Sequence, residues 1–240
     1  MINKICTYAP GRPTVRGCFL YRIGDENVFN YIDRENWERK EHFEYYRTKI
    51  VCGYSCTVQL DVTKFLRKIR AKGLRFYPSF VYCVSKTVNS MKEFRMDVDA
   101  DGMPGYYDFC VPNMTIFHDD DHTFSDMWTE YYPEFDKFYR NTVENMEKYK
   151  NVKGIKARDG QPPNFFCVSC VPWLTYTAYS TSVPGGTPNL FPIITFGKYT
   201  EANGKYTLPF TLNIAHAAAD GYHSSMFFNS LQELLDSIEL

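Results

Sequence analysis

Apolar residues recur at two different spacings along this chain, and the order of the helical and strand-like segments limits its possible folds. Helical spacing of apolar residues alternates with strand-like runs in the first half, and the second half contains strands joined at an Asn203-Gly204 hairpin turn before a last helical pattern. The helical patterns cover residues 37–49, 62–73, 79–91, 133–150 and 224–240, and the strand patterns cover 51–62, 106–118, 164–173, 190–200 and 205–216. This order predicts an α/β fold of the α+β two-layer sandwich type, with a mixed β-sheet flanked by helices.

Length and charge narrow the class of protein further. The 240 residues suit a single domain, and residues 1–26, which show no sustained period, are predicted to be an N-terminal extension of unknown role ahead of a domain at 27–240. A net charge of −1 without a basic cluster argues against nucleic-acid binding. No apolar run approaches the ~20 residues of a membrane span, and the N-terminus lacks the apolar centre of a secretory signal, so we expect a cytoplasmic protein.

Two of the eight cysteines, Cys167 and Cys170, form a C-x-x-C pair, which is a weak signal for zinc or redox chemistry. They lie in the strand-like run FFCVSC, where successive side chains alternate between the faces of a sheet, so the two thiols are expected on opposite faces. No second C-x-x-C pair is present. We therefore expect no metal site.

A histidine at the end of an apolar strand is the main candidate for chemistry. His216 follows TLNIA and precedes three alanines and Asp220-Gly221, so small neighbours leave room for a ligand and a tight turn holds the imidazole. The pattern predicts a positioned general base, although a structural histidine before a strand-to-helix turn would show the same residues. By contrast, His118 and His122 bracket three aspartates, which predicts a solvated acidic turn.

A serine where another strand ends is the second candidate. Ser169 lies in the segment SCVPW, about fifty residues before His216. A hydroxyl at this place is suited to donate to an oxyanion that develops during acyl transfer. A strand serine bonded to the backbone is the alternative, and the residues alone leave both readings open.

Several separate segments, in a fixed order and spacing, resemble the chloramphenicol acetyltransferase family. The likeness runs from about residue 28 to the C-terminus, which is roughly nine-tenths of the chain. The segments are NWERKEHFEYY (36–46), TVQLDVTKFL (57–66), RFYPSF (75–80), EFRM (93–96), TIFHDDDHTFSDMW (115–128), NFFCVSCVPW (164–173), PIITFGKY (192–199) and HAAADGYH (216–223). Their joint occurrence is far more specific than any one motif.

The resemblance implies a coenzyme-A-dependent acyltransferase fold and a homotrimer with active sites at the subunit interfaces. It implies transfer of an acetyl group from acetyl-CoA, as co-substrate, to a hydroxyl of chloramphenicol, which inactivates the antibiotic. It implies no permanently bound cofactor, no metal and no membrane or nucleic-acid partner.

The resemblance also assigns roles to single residues. His216 matches the family's catalytic base, and Ser169 matches the serine that stabilises the oxyanion. Asp220 and Arg39 match an ion pair that supports the site, and Thr195 matches a threonine that holds a water near the reacting centre. The positions that match coenzyme A contacts are Arg75, Tyr77, Trp173, Lys198 and Tyr199. The positions that match the acceptor pocket are Tyr45, Tyr46, Cys52 and Phe124.

The sequence departs from the family's pattern in three places. Ala215 stands where the family usually has a second histidine, and Ala218-Ala219 replaces the usual valine-cysteine. The segment at 180–189, STSVPGGTPN, differs from the stretch that helps to line the family's acceptor pocket. The alternative prediction is therefore an acetyltransferase of the same fold that acts on another small hydroxyl or amine acceptor.

Overall fold

Strands rich in β-branched and aromatic residues pair into the main sheet, as seen in a computed structural model that describes residues 27–181 and 188–240. With strands numbered along the chain, the sheet contains β2 (Gly53–Asp61), β5 (Val111–His118), β6 (Thr123–Trp128), β7 (Phe165–Val171), β8 (Ile193–Gly197), β9 (Thr200–Ala202) and β10 (Lys205–Ala215). Their spatial order is β2-β10-β8-β7-β5-β6, and β9 pairs with the start of β10. Because β7 is parallel to both β5 and β8 while the other pairs are antiparallel, the predicted mixed sheet is confirmed.

The helices predicted from apolar spacing form beside this sheet. They are α1 (Lys40–Thr48), α2 (Thr63–Ala71), α3 (Phe76–Ser90), α4 (Phe135–Tyr149) and α5 (Gly221–Ser237). The central helix α3 packs against α2, α4 and α5, and its Phe80 contacts Phe196 and Phe210 of the sheet at ring-centroid distances of 4.8 and 6.1 Å. Truncating a buried phenylalanine to alanine typically costs about 3–5 kcal/mol, so this aromatic layer is a main source of stability. Within the described ranges, no helix has the length and apolar character needed to cross a membrane.

The helices begin one to three residues away from the starts of the predicted patterns. The first was expected from residue 37 but starts at Lys40, because Trp37 adopts an extended backbone before it. The sequence predicts that Tyr77-Pro78 opens the third helix, and the helix starts at Phe76, so Pro78 lies in the first turn as expected, where its missing N–H is tolerated. Asp61 accepts a hydrogen bond from the Thr63 amide at 2.9 Å and lies one position before Val62, the backbone N-cap of α2.

The predicted strand at 106–118 is wrong as a single element. Its beginning belongs to β4 (Pro104–Tyr107), which lies between β1 (Phe29–Tyr31) and β3 (Met96–Val98) in a separate three-stranded sheet. The chain then leaves that sheet at Asp108 and enters β5 of the main sheet. Apolar periodicity shows that both pieces are extended but carries no signal for the change of partner.

Alternation along the strands divides the main sheet into two different faces. Phe196 of β8 and Phe210 of β10 point to the helices, so Thr195 and Thr211 beside them point to the other face. The register places Ser169 of β7 beside Thr195, Thr195 beside Thr211, and Thr211 beside Thr57 of β2. The helix-free face therefore presents a row of hydroxyl side chains across four neighbouring strands.

Candidate active site

The turn after β10 presents His216 from a rigid backbone. The His216 amide donates to the carbonyl of Cys52 at 3.0 Å, which continues the pairing of β10 with β2 by one residue. The Ala218 amide donates to the carbonyl of Ala215 at 3.0 Å, so the chain turns immediately after the histidine. The sequence prediction of a histidine at a strand end, followed by a tight turn, matches this geometry.

Aromatic rings fix the plane of the His216 imidazole. Tyr46 of α1 stacks on it with 3.8 Å between ring centroids and 6° between planes, and Tyr54 of β2 contacts it nearly edge-on at 5.4 Å and 68°. The Tyr54 hydroxyl is held in turn by Ser224, with 2.6 Å between the oxygens. The Nδ1 atom of His216 is buried and bonds to no residue that the structure describes, which leaves Nε2 as the nitrogen placed to meet a substrate.

Asp220 caps α5 and ties this turn to α1. Its Oδ1 accepts the amide of Tyr222 at 3.0 Å and Nδ1 of His223 at 2.7 Å, and its Oδ2 accepts a hydrogen bond from Nη1 of Arg39. Burial alone would raise the pKa of the Asp220 carboxyl, but the bonds from His223 and Arg39 outweigh it and lower the pKa to about 2. The predicted ion pair between Arg39 and Asp220 is therefore present and charged at neutral pH.

Five of the predicted residues lie together at this end of the sheet, and we call them the histidine half-site: Arg39, Tyr46, Cys52, His216 and Asp220. Tyr45, the next residue of the predicted acceptor pocket, is 46% exposed and contacts Tyr46 edge-on at 5.3 Å. The half-site thus has one open side, where an aromatic side chain faces solvent.

A second group, the serine half-site, consists of Thr115, Ser169 and Thr195 on the helix-free face of the sheet. Ser169 Oγ lies 3.4 Å from Oγ1 of Thr115, and the register sets Ser169 beside Thr195. Thr195 is buried, and its carbonyl accepts a hydrogen bond from the Tyr176 hydroxyl at 2.8 Å. Sequence reasoning missed Tyr176 because it lies in an irregular loop after Trp173, where no periodic pattern marks a buried residue.

The residues predicted to contact coenzyme A lie on the same side of the molecule as the serine half-site, which we call the serine side. Tyr77 donates its hydroxyl to the Thr115 carbonyl at 3.3 Å, and burial raises the pKa of that phenol. Trp173 is 63% exposed and packs edge-on against Phe117 at 4.5 Å. The exposed Lys198 is linked to the same loop, because its amide donates to the Leu174 carbonyl at 2.8 Å.

The remaining two residues of this set already have contacts of their own. Tyr199 packs against Phe76 of α3 with 5.5 Å between ring centroids, so most of its ring surface is used within the chain. Arg75 is exposed and pairs with Glu147 of α4 at 2.9 Å. A phosphate group would therefore have to compete with Glu147 for the Arg75 guanidinium.

The four residues predicted for one acceptor pocket do not meet within one chain. Tyr45, Tyr46 and Cys52 lie at the edge of the sheet formed by β2, whereas Phe124 lies on β6 at the opposite edge. Phe124 is 52% exposed and is paired in register with Phe117. Phe124 is therefore close to the serine half-site and remote from the histidine half-site.

The sheet register also separates the two predicted catalytic residues. His216 lies five residues beyond Thr211, and Thr211 is two strands away from Ser169. With a rise of about 3.3 Å per residue and about 4.8 Å between strands, His216 and Ser169 lie roughly 19 Å apart. One chain therefore holds both half-sites but does not bring them together.

His118 differs from its predicted place in a solvated turn. It is 4% exposed, at the end of β5, and its Nε2 lies 2.8 Å from Ser125 Oγ, while Ser125 also bonds to the Val152 carbonyl at 3.0 Å. The aspartates that follow His118 do form the turn. Because they are charged, the sequence pattern predicted exposure for His118 as well, although it is the last residue of a buried strand. Because Ser125 donates its one hydroxyl hydrogen to Val152, the hydrogen shared with His118 lies on Nε2 of the imidazole.

The C-x-x-C pair lies in β7 as expected. Cys170 packs on the core side, and Cys167 lies on the other face beside Asn113. Burial raises the pKa of Cys170 to about 12 and that of Cys167 to about 11, so both are protonated thiols at neutral pH. Such thiols pack as small apolar groups.

A sequence model of the family described as chloramphenicol acetyltransferase matches residues 27–232. The chain belongs to this family. Among curated relatives, the chloramphenicol acetyltransferase of Clostridium perfringens is 41% identical over 211 residues, which are 88% of this chain and 96% of that protein. The chloramphenicol acetyltransferase of Vibrio anguillarum is 38% identical with the same coverage of both chains. The family predicted from the eight sequence segments is thus confirmed.

Solved structures of the chloramphenicol acetyltransferase family and its fold neighbours superpose on this chain. One chloramphenicol acetyltransferase has a TM-score of 0.76 at 25% identity and covers 87% of this chain and 100% of its own. The dihydrolipoamide acetyltransferase of Azotobacter vinelandii has a TM-score of 0.59 at 15% identity, covers 78% and 82%, and shares the fold alone. The predicted coenzyme-A-dependent acyltransferase fold is confirmed.

Proposed function

We propose that this protein transfers the acetyl group of acetyl-CoA to a hydroxyl of chloramphenicol and so inactivates the antibiotic. The observation that carries the proposal is His216, a histidine held between two tyrosine rings with one buried nitrogen, in a chain of the chloramphenicol acetyltransferase family. A base whose ring cannot rotate presents its free nitrogen in one direction, which is what proton transfer at a defined distance requires. Acetyl-CoA serves as co-substrate, and no resident cofactor is proposed.

In the proposed reaction, Nε2 of His216 removes the proton of the acceptor hydroxyl as the hydroxyl oxygen attacks the thioester carbonyl carbon. The new carbon–oxygen bond gives a tetrahedral intermediate with negative charge on the former carbonyl oxygen. Collapse of this intermediate breaks the carbon–sulfur bond. The coenzyme A thiolate then takes up the proton held by the imidazolium, so His216 returns to its starting state.

Ser169 is proposed to stabilise the oxyanion. Thr115 can donate its hydroxyl hydrogen to Ser169 across their 3.4 Å contact, which frees the Ser169 hydrogen for the negative oxygen. Loss of one such donor typically costs ~2.7–4 kcal/mol of transition-state stabilisation. Thr195, beside Ser169, is proposed to hold a water at the same place, and Tyr176 anchors its backbone.

The two substrates are proposed to approach from the two half-sites. Coenzyme A lies along the serine side, where Trp173 offers an exposed ring and Lys198 an exposed charge; Tyr77, Tyr199 and Arg75 complete that set. The acceptor lies against Tyr45, Tyr46 and Cys52 of one subunit and Phe124 of another.

The active form is proposed to be a homotrimer with an active site at each subunit interface. The roughly 19 Å between His216 and Ser169 within one chain supports this, because only a second copy can supply the missing half-site. Buried polar atoms give a second argument: Oδ1 of Asn113 and Nδ2 of Asn213, on the helix-free face, bond to no described residue. Sedimentation should give a mass of three 28.1 kDa chains.

A second acceptor class is favoured by one feature of the surface. A depression of about 460 Å³ next to the hydroxyl row is lined mainly by polar groups: Ser55, Thr57, Thr177, Ala178, Tyr179 and Ser180. The segment at 180–189, which differs from the family's pattern, begins at Ser180 of this lining. Its residues 182–187 lie outside the part of the chain that the structure describes. Hydroxyl groups would suit a more polar acceptor, so another small alcohol or amine is the alternative substrate.

A cytoplasmic location is proposed from the thiols. The six cysteines in the described ranges are all free, as is usual for proteins of reducing compartments. Alkylation of the protein in intact cells, before and after reduction, measures their state.

The test of the reaction follows free thiol released from acetyl-CoA by the purified protein. Release that depends on chloramphenicol supports the proposed acceptor. No release with chloramphenicol, but release with another small alcohol or amine, supports the alternative. No release with any acceptor, from folded trimer that binds coenzyme A, rejects acetyl transfer.

A further inference from the structure

His223 lies between two carboxylates, next to the histidine half-site but outside the residues assigned to it. Its Nδ1 is 2.7 Å from Oδ1 of Asp220, and its Nε2 is 3.8 Å from Oε1 of Glu93. The side chains of His223 and Glu93 are only 15% and 13% exposed. The Asp220 side chain is 31% exposed, so its contact with His223 is partly shielded from water and is stronger than on an open surface.

The chemistry of Asp220 determines which nitrogen of His223 carries hydrogen. With a pKa of about 2, the Asp220 carboxyl is ionised at neutral pH and accepts hydrogen bonds only. Nδ1 of His223 must therefore be protonated and donate to it. At 3.8 Å, Nε2 is beyond hydrogen-bond distance of Glu93. The hydrogen bond to Asp220 is therefore the contact that fixes the orientation of His223 and Asp220 relative to each other.

The carboxylate of Asp220 accepts hydrogen bonds from two different elements, and rotation of the carboxylate would weaken both sets. Its Oδ1 accepts the backbone amides at the start of α5, and its Oδ2 accepts Arg39, which precedes α1. The His223 imidazole donates to Oδ1 and holds that oxygen toward the helix, which keeps Oδ2 aimed at Arg39. α1 carries Tyr46, which stacks on His216. The orientation of Asp220 therefore affects the position of the Tyr46 ring against the proposed base.

We propose that His223 is a positioning residue for the acetyl transfer: through its Nδ1 hydrogen bond it locks the Asp220 carboxylate between α5 and Arg39, and thereby fixes the placement of His216. The inference rests on the proposed function and adds a residue to its site. His223 touches no substrate in this scheme and moves no proton.

Two amide variants distinguish the roles of the two nitrogens of His223, because each variant keeps a donor near only one of them. In His223→Asn the amide nitrogen takes the place of Nδ1 and keeps the bond to Asp220, whereas in His223→Gln the amide reaches toward Glu93 and leaves Asp220. We expect the Asn variant to keep kcat within about twofold of wild type and the Gln variant to lose about tenfold in kcat. The KM for acetyl-CoA should not change, because the residues proposed to bind it lie on the serine side.

His42→Gln is the matched control, since His42 is an exposed histidine of α1 outside both half-sites. Equal kcat in the Asn and Gln variants, or a loss that follows only the folded fraction measured by circular dichroism, overturns the proposal. If wild type shows no turnover, the proposed function fails by itself, and NMR of the imidazole rings tests the positioning. The His216 resonances should then shift in His223→Gln and not in His223→Asn, and unchanged resonances in both overturn it.

Discussion

Two inactive variants should restore activity when they assemble together. His216→Ala removes the proposed base, and Ser169→Ala removes the proposed oxyanion donor, so each homotrimer has three defective sites. The sheet register sets these residues roughly 19 Å apart in one chain, too far for both to contact one reacting carbonyl. If each site joins His216 of one subunit to Ser169 of the next, a mixed trimer of either composition contains one intact site out of three.

The assay uses two affinity tags, one on each variant, and purification over both resins after co-expression. Thiol release from acetyl-CoA should then reach about one-third of the wild-type rate per trimer, because a cyclic trimer has one interface of the required order. Trimers that carry only wild-type chains and both tags are the control. If both residues acted within the same chain, every subunit of a mixed trimer would be defective, so activity no higher than that of the single variants refutes the reasoning.

Three further predictions concern stability. The pKa of Asp220 is about 2 in the folded protein, below the ordinary 3.8, so its stabilisation should be complete above about pH 4 and lost as the pH falls toward 2; the gap in unfolding free energy between wild type and Asp220→Asn should close over that range. Glu130→Gln removes the carboxylate that pairs with the half-buried Arg158 guanidinium and should lower the unfolding free energy in urea by about 2 kcal/mol, with the KM for acetyl-CoA unchanged. Tyr176→Phe removes the hydrogen bond to the Thr195 carbonyl and should cost about 1 kcal/mol in the same measurement.

Much of the fold was predictable, because local patterns and packing agree. Apolar spacing located all five helices within a few residues, and the Asn203-Gly204 turn was expected from its two residues, which adopt φ of 54° and 76°. The three-stranded sheet was not predicted, since its strands β1, β3 and β4 have three or four residues each, too few for a period to be read.

The candidate site residues could be named from the sequence, but their arrangement could not. His216 and Asp220 are neighbours along the chain, so the tight turn between them brings one half-site together locally. Ser169 reaches its place through pairing with β8, and its distance from His216 depends on a register that no local pattern encodes. No role for His223 follows from the sequence, because its two carboxylate neighbours come from different elements.

The central place of β10 in the main sheet has a consequence for how the protein is made. β10 lies between β2 and β8, yet it is synthesised long after β2: Thr57 and Thr211, which pair in the finished sheet, are 154 residues apart. At the usual 5–20 residues per second, β2 leaves the ribosome about 8 to 31 s before its partner. During that interval the backbone edge of β2 that later pairs with β10 is exposed, so we expect chains that stop before β10 to aggregate.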